Sequence, residues 1–222
     1  MDKNILALVP MRHHSERVHG KNYRPFAGRP LYHHIVGSLL RCPYISDIII
    51  DTDSSTIKED AKANFLDIKI IDRPLHLKNG SISMNEVLMH DINRVKADFY
   101  LQTHSTNPLL KTETITKAIE EFFEYFPLYD SLFSVTPFQK RLWSKKGEAI
   151  NHNPDVLLRT QDLPLLYEEN SCIYIFSKDS IKKRHNRIGE KPMMFEIDYI
   201  EAWDIDNEID FQIAEFLYLK QQ

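Results

Sequence analysis

An α/β fold of three layers, with a mostly parallel sheet between helices, is the class this sequence predicts, on three observations. From residue 5 to residue 126, short apolar runs alternate with segments of helical spacing, the order in which parallel strands and their covering helices follow one another. The runs are apolar throughout, as in Ile5-Leu6-Ala7-Leu8-Val9 and Ile48-Ile49-Ile50, which suits strands buried on both faces. The rhythm then stops. Residues 137 to 170 hold three prolines and scattered charges with no helical spacing, so a βαβ unit does not fit and an excursion from the sheet, read as a hairpin arm, is expected.

The elements follow in order. Ile5 to Val9 reads as the buried first strand, and a long polar loop leaves it. A helix is expected to begin near Pro30, since proline suits a first helical turn, with Leu31, Ile35, Leu39 and Leu40 on its apolar face. Asp47 to Asp51 is a second strand, running into Asp51-Thr52-Asp53-Ser54, where Ser54 or Ser55 can cap a helix over 55 to 64. Asp51 and Asp53 are read as capping residues there. Ile68 to Ile71 is a third strand and Asn85 to Val95 a helix. Phe99 to Gln102 is a fourth strand, and Thr112 to Phe126 forms an amphipathic helix with Ile115, Ala118, Ile119 and Phe122 inward. Beyond the strand at Ser131 to Thr136 and the excursion, Cys172 to Phe176 returns to strand. Ser177 to Lys183 is a short helix, Met193 to Ile197 an apolar run, and Asn207 to Leu219 the closing helix.

Composition bounds the rest. A chain of 222 residues with 42% hydrophobic content can bury a full core, so a single domain over residues 1 to 222 is expected. Lys plus Arg number 28 against 32 for Asp plus Glu, a formal charge of −4, which argues against nucleic acid or an anionic membrane as main partner. The run Ile5 to Val9 is too short for a signal-peptide core or a membrane span, and no later segment qualifies. Cys42 and Cys172 have no CxxC or zinc spacing, so reduced thiols in a cytoplasmic protein are expected.

Two ends of the chain carry the chemistry. The loop Val9 to Asn22 leaves the carboxyl end of the first strand, where open α/β sheets place ligands. Arg12 can fork onto phosphate oxygens and Lys21 adds a point charge; Ser15 and Asn22 offer neutral hydrogen bonds, and Gly20 permits a tight turn. No Walker loop is present, and His13, His14 and His19 lack a paired carboxylate and read as solvent-facing. Near the other end, Asp204 and Asp206 are two apart and at strand spacing share one side, a pair suited to Mg²⁺ together with substrate phosphates. The alternative is that Asp206 or Asn207 only caps the closing helix. Cations for a polyphosphate and carboxylates for its metal make nucleotidyl transfer the leading reading.

Val9 to Leu31, with Arg12, Ser15, Gly20, Lys21, Asn22, Gly28, Pro30 and Leu31, resembles the N-terminal segment of the acylneuraminate cytidylyltransferases. Ile49 to Asp53, Arg73-Pro74, Leu101-Gln102 with Asn107-Pro108-Leu109, Gln161 to Pro164, Tyr167 to Phe176 and Asp204 to Glu208 match further segments in the same order. The resemblance implies a Rossmann-like nucleotidyltransferase fold with a protruding dimerisation arm at 137–170. It implies transfer of CMP from CTP to the anomeric hydroxyl of a 2-keto-3-deoxy sugar acid. Arg12, Ser15, Lys21, Asn22 and Arg73, with Ser83 or Asn85, would bind the nucleotide. Lys21, Arg12 and Asp206 would serve catalysis, and Asp204 and Asp206 would hold Mg²⁺. Gln102 would face the sugar acid, and the arm of a homodimer would bring Arg159 or Gln161 to the partner's sugar pocket.

The departures fall mostly on the sugar side. Glu16 stands at a usual lysine, with Arg17 next to it as in the related 3-deoxy-manno-octulosonate enzymes; Thr160 stands at a usual arginine before Gln161; Asn170-Ser171 replaces Asn-Gly. The loop Thr103 to Asn107 is two residues longer than the sialate form. The sugar acid therefore stays open, as do another acceptor (an octulosonate, a phosphonate or a polyol phosphate) and a catalytically weak nucleotide-binding homologue.

Overall fold

The computed structural model describes residues 5–221. In chain order the elements are β1 (Ile5–Met11), β2 (Pro25–Phe26), β3 (Arg29–Pro30), α1 (Tyr32–Leu40), β4 (Ile45–Thr52), α2 (Ser55–Asn64), β5 (Ile68–Asp72), α3 (Met84–Arg94), β6 (Phe99–Gln102), α4 (Thr112–Tyr125), β7 (Ser131–Phe138), β8 (Leu166–Ser177), α5 (Lys178–Arg184), β9 (Pro192–Glu196) and α6 (Glu208–Lys220). Seven strands form one sheet in the order β5-β4-β1-β6-β8-β7-β9. Every pairing in it is parallel except those that β8 makes with β6 and β7.

Strand periodicity builds the layers. Ile5, Ala7, Val9 and Met11 of β1 face one side, packing with Tyr32, Ile35 and Leu39 of α1 and Ile115, Ala118 and Phe122 of α4. Leu6 and Leu8 face the other, against Leu88 and Ile92 of α3 and Ile181 of α5. Apolar side chains on both faces explain why the strands show no polar alternation. No helix among the described residues is long and apolar enough to cross a membrane.

A third, smaller cluster positions the site. Val18, Phe26 and Leu31 from the segment after β1 pack on Ile205, Phe211 and Ala214, so the two ends of the chain meet. Arg24 reinforces the junction, donating through both Nη atoms to the Glu208 carboxylate at 2.7 Å and lying 4.3 Å from the Phe211 ring centroid.

Local expectations needed correcting in three places. Pro30 does not open a helix: it pairs with Pro25 in the small β2–β3 ladder, Leu31 N–H donates to Arg24 O at 3.0 Å, and α1 starts at Tyr32. Neither Asp51 nor Asp53 caps α2, because Ser54 Oγ accepts from Ile57 N–H. The returning strand is longer than its apolar core, running from Leu166 to Ser177. Pro137 and Phe138 pair with Tyr167 and Leu166, so the irregular excursion spans 139–165.

Candidate active site

The parallel register sets the site's floor. Met11 lies opposite Thr52, and Leu8 opposite both Ile49 and Gln102, so β1, β4 and β6 end on one edge of the sheet. The loop after β1 is pinned there by its own polar groups. His13 N–H donates to Asp53 Oδ1 at 2.7 Å, and His13 Nδ1 lies 2.7 Å from Ser54 Oγ. Buried Asn22 donates from Nδ2 to Arg12 O at 2.7 Å and accepts from Ser105 Oγ at 2.6 Å. Gly20 has φ +62°, and a Cβ there would meet the Tyr23 ring at 2.8 Å, so the turn before Lys21 requires glycine. Ser15 sits part-exposed on the same loop. Arg12 reaches over the segment after β5, where a Cβ on Gly80 would fall 2.6 Å from its Nη1 and 3.0 Å from Glu16 Oε1.

Lys21 joins this loop to the acidic end: its ammonium donates to Ile205 O, the carbonyl between Asp204 and Asp206. Burial lowers the Lys21 pKa, while the Asp204 and Asp206 charges oppose that shift. Desolvation by the surrounding protein raises the Asp204 pKa, and the Asp206 charge adds to the rise; a hydrogen bond with Thr106 and the charge of Lys21 pull the other way. Asp206 accepts from Arg17 Nη2 at 2.6 Å. The helix cap falls one residue later, where Asn207 and Asp210 of α6 form a capping box, and Asp210 also accepts from Asp206 N–H. Asp204 and Asp206 are left outside the cap and line a cleft of about 340 Å³ together with Glu168, Glu169 and Asp210. Mutually repelling carboxylates with Lys21 beside them fit a divalent cation bound with an anionic ligand.

Other expected residues have different immediate partners. Arg73 is buried, its Nε bonded to Asp51 Oδ1. Asp91 of α3 lies against Asp51, and its carboxyl is pushed far above the carboxylate range, first by burial and then by the Asp51 charge. Ser83 caps α3, accepting from Glu86 N–H at 3.4 Å, and Asn85 Oδ1 accepts from Arg187 N–H at 3.1 Å. Gln102 is fully buried, with its Oε1 accepting from Arg187 Nη1 at 2.6 Å. Arg159 is tied to Asp162 at 2.6 Å and Gln161 O accepts from Gln139, so both are held within the excursion.

Sequence reasoning missed Arg187 and His104. Arg187 stacks 3.5 Å from the Tyr174 ring centroid, and nothing distinguishes it in the basic run Lys182 to Arg187. His104 had one signal, the longer loop after Gln102.

Post-translational flagellin modification protein B of Campylobacter coli is 25% identical over 224 residues, spanning 96% of this chain and 94% of the relative. CMP-N,N'-diacetyllegionaminic acid synthase of Legionella pneumophila is 27% identical over 241 residues, spanning 96% and 95%. Among solved structures, CMP:2-keto-3-deoxy-manno-octonic acid synthetase complexed with CTP superposes with a TM-score of 0.73 at 14% identity, covering 99% of this chain and all of that one. The 4-diphosphocytidyl-2C-methyl-D-erythritol synthase of Anaerococcus prevotii gives 0.72 at 13% identity, covering 99% and 97%; both likenesses concern the fold. The model of the family described as Cytidylyltransferase matches residues 6–222, and the chain belongs to that family.

Proposed function

We propose that this cytidylyltransferase moves CMP from CTP to the anomeric hydroxyl of a sialic acid-like nonulosonate, a 2-keto-3-deoxy sugar acid, and releases pyrophosphate. The observation that carries the reading is the meeting of Lys21 with the Asp204–Asp206 segment at the carboxyl edge of the sheet. Relatives named for legionaminic acid and pseudaminic acid, each aligned over 96% of the chain, support the acceptor class.

Arg12 and Lys21 neutralise the triphosphate, Lys21 nearest the phosphorus that reacts. Ser15, Asn22, Arg73, Ser83 and Asn85 shape the nucleotide side, Asn22 and Arg73 by holding the loops in place. Asp204 and Asp206 would hold Mg²⁺, which supplies charge neutralisation and orientation of phosphate oxygens. The anomeric oxygen attacks the α-phosphorus, pyrophosphate leaves, and no side chain becomes covalent.

The excursion supports a homodimer. Its Leu157 is 89% exposed and Trp143 52%, more apolar surface than a solvated loop warrants. A second copy would cover it and carry Arg159 or Gln161 to the partner's acceptor site. Cys42 and Cys172 are both buried and free, which supports a cytoplasmic enzyme.

The test is a panel of nonulosonic and octulosonic acids offered with CTP or ATP, reading pyrophosphate release. Release with CTP and a nonulosonate, well above that with ATP, is the expected result. Equal release from ATP and CTP would overturn the nucleotide assignment, and release only with a polyol phosphate would overturn the acceptor.

A further inference from the structure

We propose that His104 determines acceptor specificity, donating a hydrogen bond from Nδ1 to the carboxylate of the sugar acid; this rests on the acceptor class proposed above. The assignment begins with Gln102, whose amide has no choice of orientation. Arg187 can only donate, so the atom it meets at 2.6 Å must be Gln102 Oε1. The amide nitrogen then faces Thr103 O at 3.0 Å, an acceptor, and His104 Nε2, also at 3.0 Å. A flipped amide would set donor against donor at Arg187 and acceptor against acceptor at Thr103. Nε2 of His104 must therefore accept, and the ring proton sits on Nδ1.

Burial first, then the charges of Arg187 and Lys21, depress the His104 pKa to about 3, so the ring is neutral across the physiological range and the Gln102 hydrogen bond selects its tautomer. Nδ1 has no hydrogen-bond partner among the described residues, and His104 keeps partial exposure. The result is an oriented neutral donor beside two cations, Arg187, whose Nη2 lies 3.9 Å from Glu169 Oε1, and Lys21, which Asp204 and Asp206 partly offset. An anionic oxygen is the group such a spot favours. Gln102, by contrast, is fully buried and spends both amide ends within the protein. What it passes outward is the orientation of His104, which the longer loop Thr103 to Asn107 places next to it. Gln102 and Arg187 are positioning residues in this arrangement.

Two measurements test it on the full-length enzyme. Nitrogen-15 histidine spectra of the free protein should show His104 as the neutral Nδ1–H tautomer at pH 7; an Nε2–H tautomer or an imidazolium would overturn the proposal. In kinetics, His104→Phe keeps the ring volume and removes the donor, and should raise the acceptor KM by roughly 10- to 100-fold with CTP affinity unchanged. His104→Asn, whose amide nitrogen falls near the Nδ1 position, should recover most of that loss. An active wild-type enzyme whose His104→Phe form keeps the acceptor KM would overturn the role of His104 alone. A wild type silent toward every sugar acid would overturn the acceptor class and this proposal with it.

Discussion

In the proposed site Lys21 and Arg12 would both carry positive charge to the nucleotide, yet their settings differ. Lys21 is half-buried, hydrogen-bonded to Ile205 O and balanced against Asp204 and Asp206, whereas Arg12 lies over Gly80 in the neighbouring loop. A fixed charge at the reacting phosphorus acts on the transition state, while a charge farther along the triphosphate binds ground and transition states alike. Lys21→Ala should therefore lower kcat by roughly 10²- to 10³-fold, and Arg12→Ala should impair kcat and KM together; steady-state kinetics at saturating CTP separates the two. Asp91 gives a second prediction at this scale. Its folded-state pKa is raised above the ordinary 3.8, so the stability it contributes is present below that value and is lost as pH rises through the folded value. Asp91→Asn keeps a neutral donor toward Asp51 and cannot titrate. Its melting temperature should gain on wild type steadily from about pH 4 to about pH 8; a constant difference across that range would show that Asp91 ionises normally.

At the scale of elements, the helix cap and the proposed metal-binding pair, Asp204 and Asp206, are adjacent but separate. Asn207 accepts from Ile209 and Asp210 N–H at 2.9 and 3.0 Å, and Asp210 returns a bond to Asn207 N–H. Asn207→Ala should cost about 1 kcal/mol of stability, read by denaturant melts, with turnover at saturating substrate largely retained. Elements whose signal is local were legible in the sequence: the unbroken apolar runs of β1 and β4, the serine that caps α2, and the apolar face of α4. Elements that depend on distant pairing were not. β8 reads as five apolar residues, but its polar first half, Tyr167 to Asn170, is strand only because β7 supplies the ladder. Pro30 reads as a helix start until Arg24 O claims the Leu31 N–H. In the candidate site, Lys21 and the Asp204–Asp206 pair stood out by residue type and spacing. The inward turn of Arg73 and Gln102 did not, because it depends on Asp51 and Arg187, 22 and 85 residues away.

For the whole molecule, the open question of covering the excursion meets the question of completing the acceptor site. Within one chain Arg159 is spent on Asp162, and Glu168, Glu169, Asp204, Asp206 and Asp210 line the cleft beside Asp204, so that wall offers no cation to a sugar acid beyond the Lys21 and Arg187 charges near His104. The proposed twofold dimer would bring Arg159 there, and activity should then fall on dilution below the dissociation constant. Mixing Arg159→Ala with Asp206→Asn chains should recover partial activity when each alone is inactive and subunits exchange, since some sites then receive an intact set. Full activity from a monomer, seen by light scattering at assay concentration, would rule out the shared site.

The central claim is direct transfer of CMP to the acceptor's own anomeric oxygen, and following that oxygen tests it most directly. A sugar acid carrying heavy oxygen at the anomeric position would be incubated with unlabelled CTP and the enzyme, and the products separated by mass. Attack by the anomeric oxygen on the α-phosphorus, with pyrophosphate leaving, predicts a CMP-sugar that retains the label between sugar and phosphorus, alongside unlabelled pyrophosphate. A CMP-sugar carrying less label than the sugar acid left unreacted, or label found in the pyrophosphate, would contradict the account.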